Sequence, residues 1–210
     1  MYNPVSPYAE PTLESPYLEQ YLAPALLPFI QELSPARILD IGCGNGKLCS
    51  LLARQTDSYV VGIDRDEVGI ELAREAYPSI AFYQKSLDSD PLELLDSVGE
   101  KFDLVVSTEV IEHLYSPSQM VRFASEVLNP SGKILVTTPY HGYLKNLCLS
   151  LANKWDRHLN PLWEGGHIKF WSKRTITQLF EEGNFELCSF KGVGRCRYLW
   201  MSMILLFHRQ

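Results

Sequence analysis

Arg37-Ile-Leu-Asp-Ile-Gly-Cys-Gly-Asn-Gly-Lys-Leu48 is the stretch of sequence that decides the fold. The apolar residues Ile38 and Leu39 lead to Asp40, and after Ile41 glycines follow at alternate positions before a helical pattern begins. Glycine lets a backbone turn sharply and approach a ligand that any Cβ would push away. The first N–H groups of the following helix point back at this loop. The stretch therefore predicts a strand, a ligand-binding loop and a helix at the carboxyl edge of an open α/β sheet.

A second strand strengthens the prediction of a site for a nucleoside-type cofactor. It runs from Tyr59 to Ile63 and leads to Asp64, eighteen residues after Gly46, about where an acid that binds ribose is expected. A dinucleotide-binding dehydrogenase is the nearest alternative, but its fingerprint is G-x-G-x-x-G. Lys47 stands where the third glycine of that fingerprint would fall. The pattern therefore favours a cofactor without a pyrophosphate.

These motifs resemble those of the class I S-adenosylmethionine-dependent methyltransferases. Asp40-Ile-Gly-Cys-Gly-Asn-Gly46 is similar to the first motif of that family, and Gly62-Ile-Asp64 is similar to the second. The resemblance implies S-adenosylmethionine as cofactor and a polar residue after the third strand that meets the adenine amino group. Ser86 or Asp88 is placed for that role, although Asp88 as a solvated loop acid is an equal alternative. The cofactor contacts that the resemblance implies are Asp40, Gly42, Cys43, Gly44, Gly46, Asp64, Arg65, Asp88 and Glu109.

The rest of the chain repeats the strand–helix pattern and predicts one domain over residues 1–210. Strands are predicted at 37–41, 59–63, 80–84, 102–107 and 133–137, and helices at 47–55, 67–76, 119–128 and 173–182. The segment 129–132, Asn-Pro-Ser-Gly, predicts a turn. Two further strands, 185–190 and 199–207, follow each other without a helix and indicate a final hairpin. The predicted fold is a Rossmann-like, doubly wound, seven-stranded sheet, mostly parallel with an antiparallel last strand.

The resemblance to methyltransferases implies that two segments outside this pattern cover the site. Residues 1–35 form an N-terminal arm, irregular over its first sixteen residues because of four prolines, and a helix over 17–33 with a break or kink at Pro24 and Pro28. Residues 140–171 form an inserted lid that contacts the substrate. Its aromatic residues either line an acceptor pocket or form the core of the lid; they are Tyr140, Tyr143, Trp155, Trp163, Phe170 and Trp171.

Apolar residues at helical spacing predict an amphipathic lid helix over residues 143–155, and we expect its apolar face to pack inward. Lys145 and Lys154 flank that apolar stripe, so a weak peripheral contact with an anionic membrane is the alternative. The formal charge is −6 overall, but residues 140–210 carry ten Lys and Arg against five Asp and Glu. That excess either forms a solvated face or attracts an anionic substrate or membrane.

Composition and cysteine content predict a cytoplasmic protein. Hydrophobic residues make up 46% of the chain and charged residues 21%, as in ordinary globular proteins. The first residues contain neither the basic nor the apolar region of a secretory signal. Five cysteines form no C-x-x-C pair, which fits a reducing compartment better than a disulfide framework or a structural zinc site.

Glu109-Val-Ile-Glu-His113 directly follows the fourth predicted strand and carries the catalytic candidates Glu109, Glu112 and His113. On one helical turn all three side chains would point the same way. They can supply a general base, with His113 favoured, or ligate a divalent cation. The pattern resembles that of ubiquinone-pathway O-methyltransferases. It also resembles small-RNA 2′-O-methyltransferases, which use the equivalent residues and a downstream histidine as a metal site.

The second resemblance implies a cation site made of Glu109, Glu112, His113 and His167. Carboxylate oxygens and imidazole nitrogens suit Mg²⁺, Mn²⁺ or Zn²⁺. A glutamate that only packs beside the cofactor, with no metal bound, is the alternative.

Together these observations favour O-methylation of a small hydroxylated acceptor, aromatic or quinol-like, with S-adenosylmethionine as methyl donor. An RNA 2′-O-methyltransferase with a divalent metal is the first alternative. A pI near 5.4 and the lack of an appended RNA-binding module argue against nucleic acid as a partner. A methyltransferase-like binding protein without activity is the second alternative, and the intact cofactor loop argues against it. The sequence carries no signal for the oligomeric state.

Overall fold

The computed structural model describes residue 13 and residues 15–159, 162 and 165–210. Its centre is a seven-stranded sheet in the order β3-β2-β1-β4-β5-β7-β6, in which the last strand is antiparallel to both of its neighbours. The strands are β1 (Arg37–Ile41), β2 (Tyr59–Asp64), β3 (Ala81–Gln84), β4 (Phe102–Thr108), β5 (Leu128–Pro139), β6 (Phe185–Val193) and β7 (Ser202–Arg209). This confirms the predicted Rossmann-like sheet, mostly parallel with an antiparallel last strand.

The helices begin at sequence signals that are visible in the chain. Asp66 caps α3 (Glu67–Ala76) by accepting a hydrogen bond from the N–H of Gly69 at 2.8 Å. Asp90 caps α4 (Pro91–Val98) through its side chain as well, and Pro91 follows in the first turn, yet no helix was predicted there. The α-helices of the described chain are α1 (Ala23–Leu33), α2 (Lys47–Gln55), α3 (Glu67–Ala76), α4 (Pro91–Val98), α5 (Ser118–Val127), α6 (Tyr143–Leu151), α7 (Trp155–Leu159) and α8 (Lys173–Glu181).

Apolar layers cover both faces of the sheet. Side chains of α4, α5 and α8 pack on one face, and side chains of α1, α2 and α3 pack on the other. The central strands β1 and β4 are therefore buried on both sides, which explains their continuous apolar sequences. None of the helices in the described ranges is long and apolar enough to cross a membrane.

The helix predicted over residues 17–33 is present, but it changes its winding instead of breaking. Leu18–Leu22 form a π-helical turn, and α1 continues from Ala23 without a gap. The change falls next to Pro24, whose missing N–H removes one donor from the helical hydrogen-bond ladder. Pro28 lies inside α1 and does not end it. The predicted irregular arm lies almost entirely outside the described residues.

The predicted turn over residues 129–132 is wrong, because these residues belong to β5. The pairing with β4 passes from Phe102–Leu128 to Leu104–Lys133, so the segment forms an irregularity within the strand. The Asn129 side chain donates a hydrogen bond to Asp103 Oδ1 at 2.8 Å. This hydrogen bond holds the irregular segment against β4. A local turn motif does not predict such a long-range contact.

Candidate active site

A cavity of about 1140 Å³ opens at the carboxyl edge of the parallel strands. At one end its wall contains residues that follow β2 and β3, including Asp64 and Asp88. In the middle are the glycine loop after β1 and Glu109 after β4. At the other end are Lys145 from the inserted segment and Arg195 from the loop after β6. This is the edge at which open α/β sheets bind their ligands.

The glycine loop is shaped by two different requirements. Gly42 has φ +78°, and a Cβ there would lie 2.3 Å from a methyl carbon of Val110. Gly44 has φ +50°, but nothing lies within 4 Å of the place where its Cβ would be. Its N–H donates a hydrogen bond to Asp64 Oδ2 at 2.9 Å, which fixes the loop to the end of β2. The loop thus leaves open space for a ligand beside Gly44.

Gly46 differs from the other predicted cofactor residues because it is not part of the cavity wall. A Cβ at Gly46 would meet the Phe82 ring at 2.7 Å and the Cβ of Ala73 at 2.9 Å. Its φ of +76° also lies in the left-handed region. Gly46 is therefore required for the loop to pack against α3 and β3. Cys43 and Arg65, in contrast, line the cavity as expected.

Asp40 is buried in the cavity wall with only 1% of its surface exposed. The thiol of Cys49 donates to its Oδ2 at 3.2 Å, and burial raises the pKa of the carboxyl to about 7. Its Oδ1 is buried and accepts no hydrogen bond from any described residue. A buried acceptor without a donor suits a ligand that brings its own donor group, such as an ammonium.

The predicted adenosine-binding acids line the same end of the cavity. Asp64 accepts the N–H groups of Gly44 and Asp66, each at 2.9 Å, and burial raises the pKa of its carboxyl. Ser86 and Asp88 both line the wall, and Asp88 is exposed. A hydrogen bond with the Ser86 side chain lowers the pKa of Asp88. The wall thus brings together the residues expected to contact ribose and adenine.

The prediction that Glu109, Glu112 and His113 share one helical turn is wrong. Only Ile111–His113 form a single 3₁₀ turn, and Glu109 precedes it with φ +54°. The backbone N–H of Glu109 donates to the carbonyl oxygen of Thr137 at 3.1 Å, so pairing with β5 continues past the end of β4. That pairing is a tertiary contact, and the local spacing of the acids cannot reveal it.

The two glutamates are held by hydroxyl groups of neighbouring strands. Glu109 Oε1 accepts hydrogen bonds from Thr137 and Ser202, both at 2.8 Å. Glu112 Oε2 accepts one from Thr138 at 2.9 Å. Consecutive residues of a strand point to opposite faces, so the two carboxylates are bound on opposite faces of β5. Burial raises the pKa of Glu109 to about 7, and burial together with repulsion from Glu109 raises the pKa of Glu112 well above its ordinary value.

Glu112, His113 and His167 lie together, with one possible ligand atom from each within 4.8 Å of the others. The N–H groups of Ile168 and Lys169 donate to the backbone oxygen of Glu112 at 2.9 and 3.0 Å, which brings His167 to this place. His167 Nε2 lies 3.9 Å from Glu112 Oε1. Of the four residues predicted to bind a cation, the structure brings these three together, whereas Glu109 accepts hydrogen bonds from hydroxyl groups elsewhere.

His113 has a defined tautomer. Its Nδ1 lies 2.7 Å from the carbonyl oxygen of Gly165, which can only accept a hydrogen bond. Nδ1 therefore carries the hydrogen, and the basic lone pair is on Nε2. Burial lowers the pKa of His167 to about 4, so that imidazole is neutral at pH 7. A neutral imidazole can ligate a cation through the lone pair of its unprotonated nitrogen.

The prediction of one lid helix over residues 143–155 with an inward apolar face is also wrong, because α6 ends at Leu151 and its apolar side chains point outward. In α6 the side chains of Tyr143 and Leu151 are 84% and 80% exposed, whereas Lys145 is 5% exposed and lines the cavity. Helical periodicity identifies two faces but does not say which one meets the protein. With a lysine on the inner face, the lid supplies a cation to the site instead of an apolar wall.

The predicted aromatic cluster lies mainly outside the cavity. Tyr140 is buried against Trp200, with ring centroids 5.0 Å apart, and Trp171 packs on the same core. Phe170 contacts His141, and Trp163 lies outside the described residues. Among the described residues, the phenol rings of the cavity wall are those of Tyr17 and Tyr115, neither of which was predicted to lie in the site.

Comparison with known proteins agrees with this geometry. A family model described as a methyltransferase domain matches residues 17–189. The ubiquinone biosynthesis O-methyltransferase of Coxiella burnetii (strain Dugway 5J108-111) is 24% identical over 173 residues, covering 81% of this chain and 73% of that protein. The protein of the same name from Chelativorans sp. (strain BNC1) is 40% identical over 106 residues, 49% of this chain and 40% of that protein.

Two solved structures share the fold at low sequence identity. A protein from Pyrococcus horikoshii OT3 has a TM-score of 0.72 and 22% identity, over 98% of this chain and 97% of that one. Magnesium protoporphyrin IX methyltransferase from Synechocystis PCC 6803 has a TM-score of 0.67 and 15% identity, over 90% of this chain and 82% of that one. The family match, the glycine loop and the sheet order agree, and the chain belongs to the class I S-adenosylmethionine-dependent methyltransferases.

Proposed function

We propose that this methyltransferase transfers the methyl group to a hydroxyl oxygen of a small aromatic or quinol-like acceptor. The observation that carries the proposal is that His113 and His167 line the same cavity as the glycine loop and Asp64. A hydroxyl must lose its proton when it is methylated, and the imidazole of His113 is placed to receive it. The relatives named ubiquinone biosynthesis O-methyltransferase support the choice of oxygen over nitrogen or carbon.

The cofactor fits the other half of the cavity. When bound, S-adenosylmethionine would supply a methyl group attached to a sulfonium. The neutral thioether that remains after transfer is a good leaving group, so the protein need not activate it. The unpartnered Oδ1 of Asp40 suits the cofactor's ammonium group, and Asp64 suits its ribose hydroxyls. The task that remains for the chain is to orient the acceptor and to take its proton. His113 does this through Nε2, because Gly165 holds the proton of the ring on Nδ1.

As an alternative to His113 acting as the base, we propose that Glu112, His113 and His167 bind a divalent cation that positions the acceptor hydroxyl. Glu112 Oε1 is buried and makes no hydrogen bond to a described residue, so it is available as an oxygen ligand. The bond from His113 Nδ1 to Gly165 leaves Nε2 as the ligand atom, an arrangement common at metal-binding histidines. A cation there would lower the pKa of a bound hydroxyl and reduce the need for a base.

The test is a transfer assay with labelled S-adenosylmethionine and a panel of catechol-type acceptors. We expect His113→Gln to lower kcat about 10²-fold or more, since general-base catalysis contributes about that much. His208→Gln, which changes a histidine of β7 outside the cavity wall, is the matched control and should keep full activity. Cofactor binding by wild type without methylation of any hydroxylated compound would instead favour the binding protein without activity.

Treatment with a chelator distinguishes the mechanism that uses a cation from the mechanism in which His113 is the base. If the cation is used, thorough treatment with EDTA abolishes transfer, and Mn²⁺, Mg²⁺ or Zn²⁺ restores it in wild type but not in His167→Ala. Calorimetric titration of the chelated protein with each metal gives a readout that does not depend on activity. Full activity after chelation and no metal binding leave His113 as the base and remove the cation from the proposal.

A further inference from the structure

A group of basic side chains lies at the end of the cavity opposite the predicted adenosine site. Lys145 extends from α6, His158 from α7, and Arg195 follows β6. The Lys145 side chain is buried, and its Nζ donates a hydrogen bond to the carbonyl oxygen of Met201 at 3.4 Å. Within the described ranges, neither Lys145 nor Arg195 forms an ion pair with a carboxylate.

These cations act on one another. Burial, followed by repulsion from Arg195, lowers the pKa of Lys145 to about 8. Burial lowers the pKa of His158 and of His141, and Lys145 is the next largest cause of both shifts. A buried ammonium without a paired anion is costly for a folded protein. An anion placed among these groups would relieve both the burial cost and the repulsion.

Glu109 does not already fill this role. It is the acid that interacts electrostatically with Lys145, but its Oε1 accepts hydrogen bonds from Thr137 and Ser202. No contact within 4 Å joins its carboxylate to the Lys145 ammonium in the described structure. The cations are therefore free to face a ligand in the cavity that Lys145 and Arg195 line together.

The order of the strands separates this group from the ribose end. Asp64 ends β2, the glycine loop follows β1, and Glu109 follows β4. Lys145 comes after β5, and Arg195 and Met201 lie in the connection between β6 and β7. In the sheet order β2-β1-β4-β5-β7-β6, the cations therefore stand beyond Glu109, on the side away from Asp64. That side is the one left for the methyl acceptor.

We propose that Lys145, His158 and Arg195 form an anion-binding subsite that binds a carboxylate or phosphate group carried by the methyl acceptor. This inference rests on the proposed O-methyltransferase function and narrows its substrate class to anionic hydroxylated compounds. Arg195 can bind either group with two parallel hydrogen bonds, and Lys145 adds a buried point charge. A neutral catechol would leave these cations uncompensated, so it should bind more weakly.

The experiment compares three probes by calorimetric titration of the protein saturated with S-adenosylhomocysteine. They are 3,4-dihydroxybenzoate, 3,4-dihydroxyphenyl phosphate and the neutral 4-methylcatechol. We expect wild type to bind at least one anionic probe tenfold or more tightly than 4-methylcatechol, and the better probe identifies the anion. Lys145→Met and Arg195→Gln should each reduce that preference at least fivefold. Lys154→Met, an exposed lysine just beyond α6, is the matched control and should keep it.

Two results would overturn the subsite: no preference for either anion in wild type, or a preference that both variants retain. Titrations with S-adenosylhomocysteine test whether the basic group binds the carboxylate of the cofactor instead of an anionic acceptor. If Lys145→Met weakens S-adenosylhomocysteine binding tenfold but leaves 5′-methylthioadenosine binding unchanged, the cations hold the cofactor's own carboxylate and the proposal is wrong. A strong anion preference without any methyl transfer keeps the subsite and contradicts the O-methyltransferase function instead.

Discussion

Asp64 joins the glycine loop to the start of α3. Its Oδ2 accepts the N–H of Gly44 and its Oδ1 accepts the N–H of Asp66, both at 2.9 Å. A carboxylate has about four acceptor positions, so it can still accept two ribose hydroxyls. We expect Asp64→Ala to weaken S-adenosylhomocysteine binding by roughly 30-fold or more, because charge-assisted hydrogen bonds contribute about 1.5–3 kcal/mol each.

Calorimetric titration of S-adenosylhomocysteine measures this effect directly. Asp57→Ala is the control, since Asp57 is an exposed acid before β2, at the opposite edge of the sheet. The control should bind like wild type. Equal binding by Asp64→Ala and wild type would mean that the ribose is held by another residue.

Asp40 should make the free protein less stable as the pH rises. Its pKa is raised by burial from an ordinary value of 3.8 to about 7 in the folded state. The folded chain therefore holds a proton between these values that the unfolded chain releases, so stability falls with increasing pH over this window. Between pH 5 and pH 8 the expected loss from this carboxyl alone is about 2–3 kcal/mol.

Asp40→Asn removes that ionisation and should flatten the pH dependence by the same amount. Urea unfolding at pH 5, 6, 7 and 8 in the absence of cofactor measures the slope, and Asp57→Asn is the control. The slopes of stability against pH are compared, and not the absolute stabilities, because the amide introduced by Asp40→Asn would add a hydrogen-bond donor that changes the stability of the variant at every pH. Identical slopes for Asp40→Asn and wild type would show that Asp40 ionises normally when folded.

Single residues of the site were predictable where a short motif determines them. Asp40, Gly44 and Asp64 are fixed by a strand end, a turn and a helix start that lie close together in the sequence. Glu109 was placed in the wrong group, because its left-handed backbone and its hydroxyl partners come from pairing with β5 and β7. Lys145 was assigned to the lid surface, because no local pattern shows which face of α6 meets the cavity.

At the scale of elements, α6 presents apolar side chains outward next to the opening of the site. Leu147 and Leu151 are exposed, and the basic residues Lys154 and Arg157 lie just beyond the end of the helix. Apolar side chains flanked by cations favour the surface of an anionic bilayer. We therefore expect wild type to float with anionic vesicles and much less with neutral ones.

The double variant Leu147→Ser/Leu151→Ser should reduce flotation tenfold or more, because burying one leucine contributes about 1.5 kcal/mol or more. Leu92→Ser changes an exposed leucine of α4 and is the control for general surface effects. Negligible and equal binding of wild type to both kinds of vesicle would remove the membrane contact.

Strands and long helices were predicted to within a few residues, because an apolar run or a helical period carries the signal over the whole element. The short helix α4 was missed even though Asp90 and Pro91 mark its start. Residues 129–132 read locally as a turn, but pairing with β4 makes them part of β5. In that case a long-range pairing overrides the preference of four residues.

At the scale of the whole molecule, the two halves of the chain differ in charge. Residues 1–139 carry nine Lys and Arg against twenty Asp and Glu, and residues 140–210 carry ten against five. The basic residues of the second half are nevertheless dispersed. Lys145 is buried in the cavity, Lys173 lies over the ring of Phe190, and Lys191 lies over that of Phe29. Such a distribution does not form the continuous basic face that tracks a phosphate backbone.

We therefore expect the protein to pass through a heparin column at about 0.15 M salt, since scattered charges are screened there. Single-stranded RNA should bind with a shallow salt dependence, because few phosphates would be neutralised together. Filter binding of a short RNA across a salt series measures the slope, and a known basic RNA-binding domain serves as the positive control. A slope equivalent to several phosphate contacts, together with transfer of labelled methyl groups to RNA, would favour the RNA 2′-O-methyltransferase. In that case the group around Lys145 would contact a backbone phosphate of the acceptor.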